Sequence, residues 1–122
     1  MKNPIRIVFV EDDPEMMAVY AENFLMPEFQ ITTAADGEEA IKLLRDSEAK
    51  FDVMVTDHYM PQIDGMKLIK TVRHEFPDIK LLMVTAYGNW LNDVDAGNMD
   101  VCKFLDKPVK MSELKQLIRS IA

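Results

Sequence analysis

Cysteine is almost absent. Cys102 stands alone, which excludes an internal disulfide and suits a reducing compartment. Long apolar runs are missing too. None approaches the roughly 20 residues of a membrane span, and the opening MKNPIRIVFV lacks the extended apolar region and small-residue cleavage site of a secretory signal. The expectation is therefore a cytoplasmic protein with no membrane partner. Basic residues are in deficit, 14 Lys and Arg against 21 Asp and Glu, for a net charge of −7. No predicted helix carries a basic stripe, so direct nucleic-acid binding by this domain is not expected. Repeats, low-complexity tracts and linkers are also lacking. Histidine is scarce: neither His58 nor His74 has a ligand partner at helical or strand spacing, and both read as surface residues.

What is present fits one globular domain over residues 1–122, with 48% hydrophobic and 29% charged residues. Ten methionines read as core filler. Apolar runs alternate with helical patterns. Strands are predicted over 5–10, 29–34, 51–56, 79–85 and 101–105. Helices are predicted over 14–25, with Met17, Tyr20, Ala21 and Phe24 inward; over 36–46, where Asp36 and Glu39 have capping-box spacing; and over 65–76. A poor helix is expected over 88–98, weakened by Gly97 and several Asn and Asp. A last helix is expected to be capped by Ser112, with Leu114, Leu117, Ile118 and Ile121 on one face. Five strands alternating with five helices predict a doubly wound α/β fold, a parallel sheet covered on both faces. Such sheets bind ligands beyond the carboxyl ends of their strands.

The residues at those ends carry the chemistry. The first strand runs into Glu11-Asp12-Asp13, the third into Asp57, the fourth into Thr85, and Lys107 follows the fifth. Like charges crowded together disfavour one another's ionisation. Hard oxygen ligands of this kind suit Mg²⁺, with Mn²⁺ as an alternative. Asp13 reads as a helix cap beside Pro14 rather than as a ligand.

Four stretches, VFVEDDP, VMVTDHYMPQIDG, LLMVTAYG and KFLDKPV, resemble in order and spacing the motifs of response-regulator receiver domains, the CheY-like superfamily. The resemblance spans essentially the whole chain. It implies a sheet of order 2-1-3-4-5 and a phosphoacceptor function: Asp57 takes a phosphoryl group from a sensor histidine kinase or phosphotransfer protein. It further implies that Glu11, Asp12, Asp57 and the Tyr59 backbone carbonyl hold Mg²⁺. Lys107 would pair with Asp57 or the phosphate, Thr85 and Phe104 would form the switch, and the Lys107–Pro108 bond would be cis. The implied output is a changed surface of fourth helix, fifth strand and fifth helix. That surface would contact a downstream effector domain or protein, or form a phosphorylation-dependent dimer. Such a protein is a signalling switch with only self-phosphorylation and autodephosphorylation chemistry, not an enzyme turning over a metabolite.

Two departures from the family pattern matter. Tyr59 and Tyr87 lie two residues beyond Asp57 and Thr85 and are expected to slow dephosphorylation. Asp100-Val101 replaces the usual Gly-Ala, and with Gly97 this predicts a short or mobile fourth helix, which weighs against the family's dimer. Rival readings are weaker. A phosphorylation-independent binding receiver would not need the full set of acids, Thr85 and Lys107. A haloacid-type phosphohydrolase needs an Asp where Tyr59 stands, and a flavin binder could not cradle phosphate with Glu11-Asp12-Asp13.

Overall fold

The computed structural model describes residues 3–46, 50–57, 65–85 and 103–122. Within them the chain runs β1 (Ile5–Val10), α1 (Pro14–Asn23), β2 (Phe29–Ala34), α2 (Gly37–Asp46), β3 (Val53–Asp57), α3 (Gly65–Glu75), β4 (Lys80–Thr85), β5 (Lys103–Asp106) and α4 (Met111–Ile121). The helix labelled α4 is the one predicted as the fifth. The helix predicted over 88–98, and with it Trp90 and Cys102, falls outside the described residues.

All strand pairs are parallel, and the sheet order is β2-β1-β3-β4-β5. The chain steps outward from β1 to β2, then returns across β1 to β3. The order therefore reverses between β1 and β3, the place where open α/β sheets leave a crevice at the carboxyl ends.

The apolar runs are continuous because both faces of the sheet are covered. Alternation along each strand divides them. Val8, Val10, Met54, Leu81 and Met83 pack with Ala40 and Leu44 of α2 and Leu68, Ile69 and Val72 of α3. Ile7, Phe9, Val53, Val55, Leu82 and Val84 pack on the opposite face with Tyr20, Phe24, Leu114 and Ile118. The second face holds an aromatic file. Phe9 stacks on Tyr20 with centroids 4.5 Å apart, and Phe24 meets Phe9 and Phe29 edge-on at 5.0 and 4.9 Å. Among the described residues, no helix is long and apolar enough to cross a membrane.

Local chemistry sets the boundaries. Asp13 caps α1, its Oδ1 accepting the Glu15 N–H at 3.0 Å, with Pro14 at the first position, where a missing N–H costs nothing. Asp36 Oδ1 accepts the Glu39 N–H at 2.8 Å, and Glu39 reaches back to the Ala35 N–H at 3.1 Å, one residue earlier than a standard capping box. The predicted end of α1 at Leu25 is corrected to Asn23. Phe24 leaves helical geometry to enter the core, and Leu25 is 80% exposed. β3 starts at Val53 rather than residue 51. Before it, Asp52 is anchored to Arg6 by its own N–H (2.8 Å, to the carbonyl) and by its carboxylate (2.9 Å, from the Arg6 N–H). Ser112 does not cap the last helix: α4 begins at Met111, and Lys110 takes the cap position with no side-chain cap bond. His74 is exposed, as expected.

Candidate functional site

The site is built where β1 and β3 end side by side. Val10 is in register with Thr56, so the next residues on the two chains, Glu11 and Asp57, emerge together. Asp57 is the last residue of β3 and pairs with Val84, placing it one step short of Thr85, which ends β4. Thr85 in turn is in register with Asp106 of β5, one residue before Lys107.

Carboxylate oxygens of Glu11, Asp12 and Asp57 all lie within 4.8 Å of one another. Asp12 is exposed and Asp57 partly buried, but Glu11 is only 3% exposed. Its carboxylate accepts the Asp13 N–H at 3.2 Å. Lys107 reaches across the gap, its Nζ 2.8 Å from Asp57 Oδ2 and 3.8 Å from Glu11 Oε1. The Lys107–Pro108 peptide bond is cis.

The electrostatics follow from burial. Desolvation pushes the Glu11 carboxyl up to about 7; the Asp13 N–H and Lys107 oppose it, while the charge of Asp57 and a hydrogen bond with Asp12 add to it. Partial burial pulls the Lys107 ammonium down, yet the hydrogen bond to Asp57 and the charges of Asp57, Glu11 and Asp12 outweigh it, and its pKa is raised. Beneath the cluster, burial, aided by the Glu11 and Asp57 charges, raises the Tyr20 phenol. The acids thus carry more negative charge than one lysine balances. A compact hard cation fits that donor set, and exposed Asp12 gives it a ligand at the surface.

The structure brings Glu11, Asp12, Asp57 and Lys107 together. Thr85 and Phe104 lie at the expected strand positions, Phe104 in register with Met83. Tyr59 and Tyr87 lie outside the described residues. Two features escaped the sequence reading. One is the depth of Glu11, which follows directly on the buried residues Ile7, Val8, Phe9 and Val10. The other is Thr56, buried to 1% immediately before Asp57, with its hydroxyl donated to the Asp57 carbonyl oxygen at 3.0 Å.

Residues 7–119 match the sequence profile of the response regulator receiver domain. The chain belongs to that family. The two-component response regulator ORR24 of Oryza sativa subsp. indica is 30% identical to this receiver over 113 residues, 93% of this chain and 18% of ORR24. The chain spans about a fifth of the length of the curated relatives it matches. Among solved structures, one titled as an adenylate cyclase from Rhodopirellula baltica is 31% identical, with a TM-score of 0.85 over 96% of this chain and 86% of that one. The response regulator TrrA from Thermotoga maritima, solved in complex with Mg²⁺ and BeF, is 26% identical, with a TM-score of 0.83 over 96% of this receiver and 98% of TrrA.

Proposed function

We propose that this receiver is a phosphoacceptor switch of a two-component phosphorelay, with Asp57 the accepting residue. The observation that carries the proposal is the 2.8 Å contact of Lys107 with Asp57 inside a cluster of three carboxylates. An Asp57 oxygen attacks the phosphorus of a phosphohistidine on a sensor kinase or phosphotransfer protein. The new P–O bond forms as the P–N bond breaks, and the imidazole leaves with its electron pair and takes up a proton.

A carboxylate is a weak nucleophile towards an anionic phosphoryl group, so positioning and charge supply most of the rate. Lys107 lowers the repulsion from one side. Asp12 and Asp57, with Glu11 behind them and the Tyr59 carbonyl, would hold Mg²⁺. When bound, that ion neutralises charge on the phosphoryl oxygens. After transfer, Thr85 moves to compensate the added charge and Phe104 follows. This biases the surface read by an effector domain or protein or by a second copy. Tyr59 and Tyr87, two residues beyond Asp57 and Thr85 in sequence, slow dephosphorylation of Asp57. The work is signalling in the cytoplasm, not turnover of a metabolite.

TrrA's Mg²⁺ and BeF complex supports this reading by relationship. The test is intact mass after incubation with acetyl phosphate and Mg²⁺. One phosphoryl group is expected on the unaltered chain and none on Asp57→Asn. No adduct on either, or equal adducts on both, would overturn it and leave a phosphorylation-independent binding receiver.

A further inference from the structure

Thr56 and Glu11 are the buried polar residues among those described. Glu11 belongs to the acidic cluster. Thr56 does not, and its position is odd for a hydroxyl. It pairs with Val10 and Met83, which line the α2–α3 face with Val8, Met54 and Leu81. A valine there would fill the same volume with no polar atom. A buried hydroxyl costs free energy unless it is bonded. This one is, at 3.0 Å, and its acceptor is the main-chain carbonyl of the next residue, Asp57.

That carbonyl belongs to the last residue of β3. Holding it fixes the peptide plane that follows Asp57 and so the residue's ψ. The allowed side-chain rotamers depend on backbone angles. The bond thus acts from one face of the sheet on a carboxylate that, by alternation, leaves the other. We infer that Thr56 is a positioning residue for Asp57: its buried hydroxyl locks the end of β3 so that the carboxylate stays aligned with Lys107. This rests on the reading of Asp57 as phosphoacceptor.

Two variants separate the hydroxyl from the methyl. Thr56→Val keeps the shape and loses the donor. Thr56→Ser keeps the donor and loses a buried methyl. Phosphorylation by acetyl phosphate is followed at fixed Mg²⁺ across donor concentrations, with urea stability measured in parallel. Thr56→Val is expected to lower the limiting rate by about tenfold. Thr56→Ser is expected to be the less stable of the two and yet to react nearly as fast as the parent. A merely structural role would make rate follow stability. Thr56→Val reacting like the parent, or Thr56→Ser falling as far as Thr56→Val, overturns the inference. Carbon-13 NMR of Asp57 supplies a readout free of phosphorylation. Its carbonyl and carboxylate resonances are expected to move in Thr56→Val and to hold in Thr56→Ser. If the parent never gains phosphate, the phosphoacceptor reading fails by itself. The NMR still decides Thr56, and unmoved Asp57 resonances in Thr56→Val overturn it.

Discussion

Lys107 Nζ lies 2.8 Å from Asp57 Oδ2, a contact between residues fifty positions apart. β4 separates the strands that precede them, so only a long side chain spans the gap. The ammonium is a fixed cation beside Asp57, placed to offset the charge of a phosphoryl group brought to that carboxylate. Removing one such group from a preorganised site costs about 10²-fold or more in rate. Lys107→Ala should slow phosphorylation by acetyl phosphate by roughly that factor. Lys107→Arg should recover only part of it, because the planar guanidinium cannot occupy the space of a compact ammonium. Mass spectrometry of the time course checks both, and an unchanged rate in Lys107→Ala would remove Lys107 from the chemistry.

Glu11 predicts an unusual pH dependence. Its carboxyl is pushed from 4.5 up to about 7 by burial. A carboxyl whose folded pKa lies above its unfolded one favours the fold while protonated. That contribution is complete below about 4.5 and is lost as pH rises through about 7. Above that window the metal-free protein should be less stable than at pH 4.5. Added Mg²⁺ should therefore stabilise more at pH 8 than at pH 5.5, since at the lower pH it must displace a proton. Glu11→Gln should flatten the profile. Urea unfolding across this range, with and without Mg²⁺, tests it. Metal-free stability that climbs steadily from pH 5.5 to 8 would contradict the assignment.

Much of this is legible in the sequence, and the limits have physical causes. The strands over 5–10 and 29–34 were read to the residue, because β-branched runs bounded by Asp, Pro and Gly leave little freedom. The acidic cluster was legible because a parallel sheet must send every strand end to one rim. The depth of Glu11 was not, since three consecutive acids look solvated as a string. Thr56 was missed because alternation makes it a core position, and its value lies in one bond to a neighbour's carbonyl. Ser112 carries a cap signal that any Ser near a helix start shares, and the cap position falls to Lys110.

The aromatic file should dominate stability. Phe24 is 1% exposed and touches both Phe9 and Phe29. Phe24→Ala should cost roughly 3–5 kcal/mol, by lost transfer energy and the cavity left behind. The ion pairs outside it should matter far less. Arg119 grips Glu28 at the surface with two bonds of 2.6 Å and lies over the buried Phe29 ring at 5.5 Å. Arg119→Ala should therefore destabilise more than Glu28→Gln, which leaves the ring contact intact. The Glu28 effect should fade in high salt and as pH falls through its lowered pKa. Chemical denaturation of the three variants at low and high salt ranks them; Glu28→Gln matching Phe24→Ala would refute the ordering.

The helix starts offer a test in which the two readings disagree in sign. If Ser112 capped α4, Ser112→Ala would cost about 1 kcal/mol. The structure places Ser112 inside the helix and exposed, with Lys110 at the cap making no side-chain bond. An interior Ser is a poorer helix former than Ala, so Ser112→Ala should instead gain up to about 0.5 kcal/mol. Lys110 is also a cation at the positive end of the helix dipole. Lys110→Asp supplies both a cap acceptor and a favourable charge, and should stabilise by about 1 kcal/mol. Asp36→Ala provides the control: its carboxylate does cap α2, accepting the Glu39 N–H at 2.8 Å, so its loss should cost about 1 kcal/mol. Measured by urea midpoints at constant m-value, the expected order is Lys110→Asp above Ser112→Ala above the parent above Asp36→Ala. A destabilised Ser112→Ala would restore the cap to Ser112 and move the start of α4 towards the loop's end.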